Sequence, residues 1–281
     1  ARPGGSRLEV AMPRRTPDHA GAAVGRHGLV VLLAALPAAA AALDRFEIQV
    51  YQADVNEPGQ LGLEVHANYT VQGETVPAYA GEVPPDHVFR LTLEPALGVT
   101  RWLELGGYLQ AFIAPGGGVD WGGWKLRAKL VVPRGEDRGF FFGVNVELGR
   151  VPVSVEEHGW ANEIRPILGW SDGTWLLDVN PIFGYALSGP DRFRVDLEPA
   201  AKAAWNTQAG FSLGVEWYAE LGYVDALLPA SQQSHYLLGV LDLTPARGQP
   251  ESPWELNLGA GAGMGAADQK LLVKAIVGRS F

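Results

Sequence analysis

The stretch Trp124-Lys125-Leu126-Arg127-Ala128-Lys129-Leu130 alternates without exception between apolar and cationic side chains. Successive side chains of an extended strand point to opposite faces of a sheet, so this segment predicts one apolar face and one charged face. The next segment repeats the pattern, with Phe142, Val144, Val146 and Leu148 on one face and Gly143, Asn145 and Glu147 on the other. This period of two predicts a chain built from β-strands.

The same alternation recurs in about twelve segments, most of ten residues or more, which is long for a soluble strand of about 5–6 residues. A strand that crosses a membrane needs about 9–11 residues. The predicted strands cover residues 60–72, 87–98, 102–113, 123–133, 139–149, 159–170, 174–184, 191–205, 210–222, 235–245, 253–263 and 269–281. Longer connections alternate with tight ones, as the outer loops and periplasmic turns of bacterial barrels do.

Two further features favour a membrane barrel over a secreted β-sandwich, which composition alone leaves open. Tryptophans fall at the ends of the predicted strands, where amphipathic rings suit a headgroup boundary: Trp102, Trp124, Trp160, Trp170, Trp175, Trp205 and Trp254. The chain also ends at Phe281 after an alternating strand, which resembles the terminal signal that the barrel-assembly machinery recognises. We therefore predict an all-β, transmembrane, antiparallel up-and-down barrel of about twelve strands over residues 60–281.

Residues 1–42 have the features of a cleaved secretory signal peptide. An apolar run at 29–37 follows basic residues up to Arg26 and precedes the alanines of 38–42. The alternative is an N-terminal anchor, but the run is shorter than the ~20 residues of a spanning helix. Met12 is a plausible true start. Export in this form predicts a location in the bacterial outer membrane, with its lipid as a partner.

Residues 43–59 fit the strand count poorly. Phe46 to Asp54 alternates, and the turn signal Asn56-Glu57-Pro58-Gly59 follows it. A thirteenth strand would spoil the even number that bacterial barrels use. Three placements therefore remain open for this segment: the periplasm, the lumen, or a shifted strand register.

Four prolines fall within predicted strands, at Pro95, Pro166, Pro181 and Pro199. Each removes one hydrogen-bond donor from a sheet ladder. We expect β-bulges at these positions.

Composition excludes several classes of function. The chain has no cysteine and a net charge of −9, which excludes thiol chemistry and argues against nucleic-acid binding. The histidines beyond residue 42 (His66, His87, His158 and His235) lie beside no obvious nucleophile, and their spacing offers no cluster of metal ligands. His66 and Glu64 share a face, where a structural hydrogen bond is the favoured reading. We expect no catalytic residue, metal or cofactor.

With the apolar set toward lipid, the charged set faces the lumen. The predicted lining is Glu64, His66, Arg90, Glu94, Glu104, Lys125, Arg127, Lys129, Glu147, Glu163, Arg165, Asp178, Arg194, Asp196, Glu198, Lys202, Glu216, Glu220, Asp242, Glu255, Lys270 and Lys274. These side chains either line a conduit for a small solute or pair across strands and fill the barrel. Lys125, Arg127 and Lys129 form a cationic track that would attract anions unless acidic neighbours neutralise it.

The hairpin Leu93-Glu94-Pro95-Ala96-Leu97-Gly98-Val99-Thr100-Arg101-Trp102-Leu103-Glu104-Leu105-Gly106 resembles one that recurs in a broad group of outer-membrane barrels. Members of this group are described as transporters or linked to the meta-pathway of phenol degradation. The ending Leu271 to Phe281 is also similar. The resemblance implies the barrel fold and passage of a small, apolar or aromatic compound, and it transfers no binding residues.

The leading hypothesis is a porin-like channel or transporter for small solutes, with a narrow charged lumen. A second hypothesis is a sealed structural or adhesive barrel that acts through its outer loops, with loop 73–86 as the candidate surface. A lipid-modifying enzyme is the third and least favoured hypothesis.

Overall fold

The computed structural model describes residues 44–134, 138–246 and 252–281. The predicted signal peptide, 1–42, lies outside these residues. The strands are β1 (Leu61–Gly73), β2 (Phe89–Thr100), β3 (Leu103–Ile113), β4 (Val119–Val131), β5 (Gly139–Arg150), β6 (Trp160–Ser171), β7 (Trp175–Asn180), β8 (Phe183–Ala186), β9 (Asp196–Leu197), β10 (Ala200–Asn206), β11 (Ala209–Glu220), β12 (Gly222–Tyr223), β13 (Ala226–Leu227), β14 (Ser234–Ala246), β15 (Trp254–Gly265) and β16 (Gln269–Ser280). A single-turn 3₁₀ helix at Ala230–Gln232 precedes β14. Among these residues, no helix has the length and hydropathy needed to cross a bilayer.

Twelve of the strands close into one antiparallel ring. The ring runs β1 to β7 and then β10, β11, β14, β15 and β16, and the pairing of β1 with β16 closes it. β6 pairs with β7 and β7 with β10, so the ring has no gap. Closure removes the unpaired edges that would be costly in lipid. The prediction of an antiparallel barrel of about twelve strands is confirmed.

The prolines do not create the expected bulges. Pro95 and Pro166 lie in registers without a shift at either position. Pro181 separates β7 from β8 and Pro199 separates β9 from β10, but the ladders on both sides keep one register. A missing N–H removes one hydrogen bond without requiring an extra residue. Residues 175–186 and 196–206 therefore act as two interrupted membrane strands.

The outside of the barrel is an apolar belt between two aromatic zones. Trp102, Trp170, Trp175, Trp205 and Trp254 lie at the end with the tight connections, which we call the turn end. Trp124 and Trp160 pack edge to face near the other end, with ring centroids 6.0 Å apart, and we call this the loop end. Large apolar side chains such as Phe142 and Leu213 are exposed between them. An apolar belt between two aromatic zones is typical of the exterior of a membrane-spanning barrel.

Residues 44–55, here called the inner segment, lie inside the barrel. Phe46, Ile48, Val50, Tyr51 and Ala53 are each at most 4% exposed. None of these residues belongs to a strand. Of the three placements left open by the sequence, the segment occupies the lumen.

The inner segment crosses the barrel from the loop end to the turn end. Near its start, Arg45 binds Glu82 and Asp268 of the outer loops. Beyond its last residue, Asn56 donates to Glu104 at 2.7 Å, and Gly59 donates to the Gly98 carbonyl at 2.7 Å. An extended chain rises about 3.3 Å per residue, so twelve residues suffice to cross a core of about 30 Å.

Apolar side chains on the lumen wall hold the inner segment in three clusters. Phe46 packs with Val88 and Phe112, and Tyr51 and Ala53 pack with Phe141 and Ile167. The third cluster joins the segment to several strands, and it contains Ile48, Val50, Ala200, Tyr218, Tyr236, Leu238, Val240, Leu272 and Ile276. Leu272 and Ile276 break the alternation of the last strand because they face this buried segment.

Candidate functional site

The lumen contains most of the charged side chains predicted to line it. Buried members are His66, Arg90, Glu94, Glu104, Arg127, Lys129, Glu147, Arg165, Asp178, Lys202, Glu216, Glu220 and Lys274. Half-buried members are Glu64, Lys125, Glu163, Asp196, Glu198 and Asp242, and Glu255 is exposed.

Two predicted lumen residues lie instead at the rim of the loop end. Arg194 precedes β9 in a loop, pairs with Asp191 and Asp225, and has a side chain 37% exposed. Lys270 pairs with Glu74 at 3.1 Å, and both of these side chains are solvent-exposed. Arg194 precedes β9 because that strand begins five residues later than predicted, and its side chain still borders the outer cavity described below. Lys270 lies at the rim because β16 begins there.

The cationic track on β4 is neutralised. Arg127 bridges Glu94 at 2.6 Å and Glu104 at 2.8 Å. Lys125 pairs with Glu147 at 3.2 Å and with Asp44 of the inner segment. Paired charges of this kind present little net field to a passing anion. The pairing alternative from the sequence therefore describes β4 better than an anion track.

A second ion-pair cluster lies on the opposite wall. Glu216 accepts from Lys274 at 2.5 Å and pairs with Lys202 at 3.3 Å. Lys202 also donates to Asp242 at 2.7 Å. Lys274 donates in addition to the Ile48 carbonyl at 2.7 Å, so this cluster also holds the inner segment.

Hydroxyls and carboxylates fix the middle of the inner segment. Tyr51 donates to Glu47, and its hydroxyl lies 2.5 Å from that of Tyr108. The Arg165 guanidinium stacks over the Tyr51 ring at 4.4 Å and lies 3.8 Å from Glu47. Sequence analysis missed Glu47 and Tyr51 as lumen residues because their segment had no assigned place. The apolar Leu272 and Ile276 on a polar face were the available signal.

The backbone of the inner segment is bonded by wall side chains rather than by a ladder. The Asn180 amide accepts from the Tyr51 N–H at 2.7 Å and donates to its carbonyl at 3.0 Å. Thr92 donates to the Phe46 carbonyl at 3.1 Å, and Arg165 donates to the Gln49 carbonyl at 3.3 Å. Such contacts satisfy buried backbone groups one at a time. The segment is thus attached to the wall without being part of it.

Two cavities flank the inner segment. The outer cavity, at the loop end, has a volume of about 190 Å³ and is bordered by Glu156, Glu163, Tyr185, Glu198 and Tyr223 among others. Its lining holds eight carboxylates and three basic side chains, a formal charge of −5 with histidine neutral. The inner cavity, at the turn end, has a volume of about 620 Å³ and holds five carboxylates and three basic side chains. Both cavities are acidic, and the outer one more so.

A histidine and two carboxylates meet on the wall beside the inner cavity. His66 Nε2 lies 2.9 Å from Glu94 Oε2 and 3.6 Å from Glu64 Oε2. The expectation that the spacing offers no such cluster was wrong, because it considered positions along one strand. The pairing of β1 with β2 sets Glu94 directly opposite Glu64.

The geometry defines the class: a closed twelve-stranded barrel of the outer-membrane type, with a charged lumen and an inserted N-terminal segment. Solved structures with this fold include an outer membrane channel from Pseudomonas putida F1, at a TM-score of 0.54 and 12% identity over 84% of this chain and 100% of that one. The KdgM porin is similar at a TM-score of 0.50 and 9% identity, over 78% of this chain and 99% of that one. The NanC porin is similar at 0.50 and 10%, over 78% and 98%.

At identities of 9–12%, these similarities show the fold and nothing about function. No family model and no curated protein sequence matches the chain.

Proposed function

We propose that the protein is an outer-membrane channel or transporter for small solutes, in which the inner segment controls passage. The observation that carries this proposal is a polar lumen divided into two cavities by a segment without a backbone ladder. Acidic cavities on both sides of the inner segment are a feature of a solute path, and a barrel that serves only as a scaffold does not require them.

Passage through the barrel requires the inner segment to move. Phe46, Ile48 and Val50 are at most 4% exposed, so the segment is packed against the wall where it separates the two cavities. The attachments are apolar contacts and single side-chain hydrogen bonds, which open at lower cost than a paired strand. Displacement of residues 44–55 would join the two cavities into one water-filled path.

Charge favours cationic or neutral solutes over anions. The formal charge of −5 around the outer cavity would concentrate cations at the mouth of the lumen. Carboxylates that line a pore select for cations, whereas rings of Arg or Lys select for anions. The β4 cations do not reverse this preference because Glu94, Glu104 and Glu147 neutralise them.

A reversible lock on the inner segment tests the proposal. A Cβ placed at Gly143 would lie 3.4 Å from the Ala53 Cβ, close to the separation in a disulfide. The chain has no other cysteine, so an Ala53→Cys, Gly143→Cys variant forms one defined bridge. The added Cβ at Gly143 approaches the Leu130 carbonyl at 2.9 Å, and the reduced form of the same variant controls for that strain.

The measurement is solute flux into liposomes and conductance across planar bilayers. We expect flux by the wild type and by the reduced variant, and little flux by the oxidised variant. The solute panel contains a small organic cation, a small anion and phenol, since the resemblance to phenol-pathway barrels implies an aromatic cargo. Equal flux in both redox forms would show that the inner segment is no gate.

The second hypothesis, a sealed structural barrel, is favoured by the packing of the inner segment. It predicts no flux above background from the wild type or the reduced variant. Loop 73–86 is then the candidate binding surface, although Glu82 turns inward to Arg45 and Pro85 is buried.

A further inference from the structure

The pairing of β1 with β2 creates a row of acidic side chains inside the barrel. Glu64 lies opposite Glu94 on one side and opposite Gly278 on the other, and Glu255 is the next partner of Gly278. A methyl group at Gly278 would lie 3.1 Å from side-chain carbons of both Glu64 and Glu255. The missing side chain thus lets the carboxylates of neighbouring strands approach one another.

His66 adds a nitrogen ligand to this row. The atoms offered by Glu64, His66 and Glu94 all lie within 4.8 Å of one another. Ligands at about 2.0–2.2 Å in a tetrahedron around Zn²⁺ are about 3.3–3.6 Å apart. The distances from His66 Nε2, 2.9 and 3.6 Å, bracket that spacing, so small side-chain rotations would bring the set to coordination geometry.

The inner segment supplies a fourth donor beside this set. Gln49 Nε2 lies 3.4 Å from Glu64 Oε2, and the amide oxygen Oε1 of the same side chain is buried with no hydrogen-bond partner among the described residues. Rotation of the amide by half a turn exchanges its nitrogen and oxygen at almost no cost in shape. After this rotation the Gln49 oxygen faces Glu64, where it can serve as a neutral ligand of a cation.

The charge around the cluster also calls for a cation. Arg127 and Lys129 pair with Glu94, Glu104 and Asp54, and Glu64 and Glu255 lie beside this group, so the five carboxylates and two cations carry a formal charge of −3. Arg127 binds Glu94 through Oε1 and leaves Oε2 toward His66. Glu64 borders the 620 Å³ cavity, so an ion can reach the cluster from the turn end.

We propose that Glu64, His66 and Glu94 bind a divalent transition-metal ion such as Zn²⁺, with Gln49 as the donor from the inner segment. Mixed nitrogen and oxygen ligands suit Zn²⁺ and its neighbours better than Mg²⁺ or Ca²⁺, which prefer oxygen alone. A bound ion would tie the inner segment to the barrel wall. The competing arrangement is a metal-free one in which His66 is hydrogen-bonded to Glu94 and lies beside Glu64.

Equilibrium binding to the purified protein in detergent micelles tests the site. The protein is stripped with a chelator and titrated with Zn²⁺ by calorimetry, and Co²⁺ absorption reports the ligand geometry. We expect one saturable Zn²⁺ site per chain and no comparable site for Mg²⁺. His66→Asn and Glu64→Gln should each weaken binding about tenfold or more, equivalent to ~1.4 kcal/mol. Gln49→Leu should weaken it less, because it removes one neutral donor.

Glu255→Gln is the matched control, since it removes the same charge from the same row outside the ligand set. It should change the affinity by less than about threefold, ~0.7 kcal/mol. Gel mobility before and after heating shows whether each variant still forms a barrel; Glu64→Gln alters a partly exposed side chain, so it tests the site even if His66→Asn misfolds. Absent Zn²⁺ saturation, or an equal loss in Glu255→Gln, would overturn the site. Neither result bears on conductance, so the channel proposal is tested separately.

Discussion

Strand β5 and the inner segment start from the same sequence pattern and end in opposite roles. Both alternate polar and apolar side chains over nine residues or more. β5 pairs along its length with β4 and β6, so its apolar face meets lipid and its polar face meets the lumen. The inner segment pairs with no strand, and its apolar side chains are buried at the centre of the barrel. Alternation therefore predicts two faces and leaves open what each face will contact.

The two regions also differ in how their backbones are held. β5 belongs to a ladder in which each strand supports its neighbours, and a closed ladder opens as a unit. The inner segment is held by separate side-chain hydrogen bonds to its backbone, such as those of Asn180 and Lys274. We expect substitutions that release the inner segment to leave the stability of the barrel wall unchanged. We also expect modest changes in the wall to leave the attachment of the segment unchanged.

The largest effect should come from Ile48→Ala. Ile48 is 1% exposed in the largest apolar cluster, and truncation of such a side chain costs about 2–5 kcal/mol. The cost should fall on the attachment of the inner segment. In a Val50→Cys background, maleimide labelling should accelerate about tenfold or more, while barrel unfolding is unchanged.

Val50→Cys alone is the control for this labelling. If Ile48→Ala lowers the stability of the barrel and leaves the labelling rate unchanged, the inner segment and the barrel wall are not independent units.

The next effect concerns the wall. Val146 faces lipid near the middle of β5, and Val146→Arg should destabilise the barrel by about 2–4 kcal/mol. Phe140→Arg, close to Trp170 in the turn-end aromatic zone, should cost only about 0–1 kcal/mol. Denaturant unfolding in lipid vesicles measures both. Equal costs at the two positions would contradict the assigned membrane depth.

A smaller effect is expected at the outer tether. Arg45→Ala removes the contacts to Glu82 and Asp268, and charged hydrogen bonds of this kind contribute about 1.5–3 kcal/mol. The start of the inner segment should loosen, which would raise the opening frequency in bilayer recordings.

Arg194→Ala is the matched control for the tether, because it removes ion pairs at the same end that join Arg194 to the loop residues Asp191 and Asp225, and exposed pairs contribute little to stability. An equal change in opening frequency in both variants would show that the Arg45 contacts do not hold the start of the inner segment.

The smallest effect is on ion selectivity. Burial raises the pKa of Glu156 to about 7, against the opposing effect of Lys125. Glu156 borders the outer cavity from a loop outside the strands. Its charge therefore appears as the pH rises through 7, and the cation preference should increase from about pH 6 to about pH 8. Reversal potentials in a salt gradient measure this change, which Glu156→Gln should flatten. A preference that falls with pH would contradict it.

Sequence patterns located the wall with small errors at strand ends. The alternation on β4 is visible without any partner strand because each residue shows its own polarity. The error at residues 191–195 has a local cause: polar loop residues before β9 continue the alternation by chance. The cluster of Glu64, His66 and Glu94 was missed because it depends on the register between two strands.

The sequence by itself determined the barrel: strand length, alternation and the tryptophan zones are properties of single segments, and a bilayer requires a closed sheet around them. Only the tertiary structure decided what fills the barrel. The place of residues 44–55 depends on apolar side chains from many strands meeting at one point, among them Leu238 and Leu272. Each of these residues is an apolar exception on the polar face of its own strand, and together they form the surface that holds the inner segment.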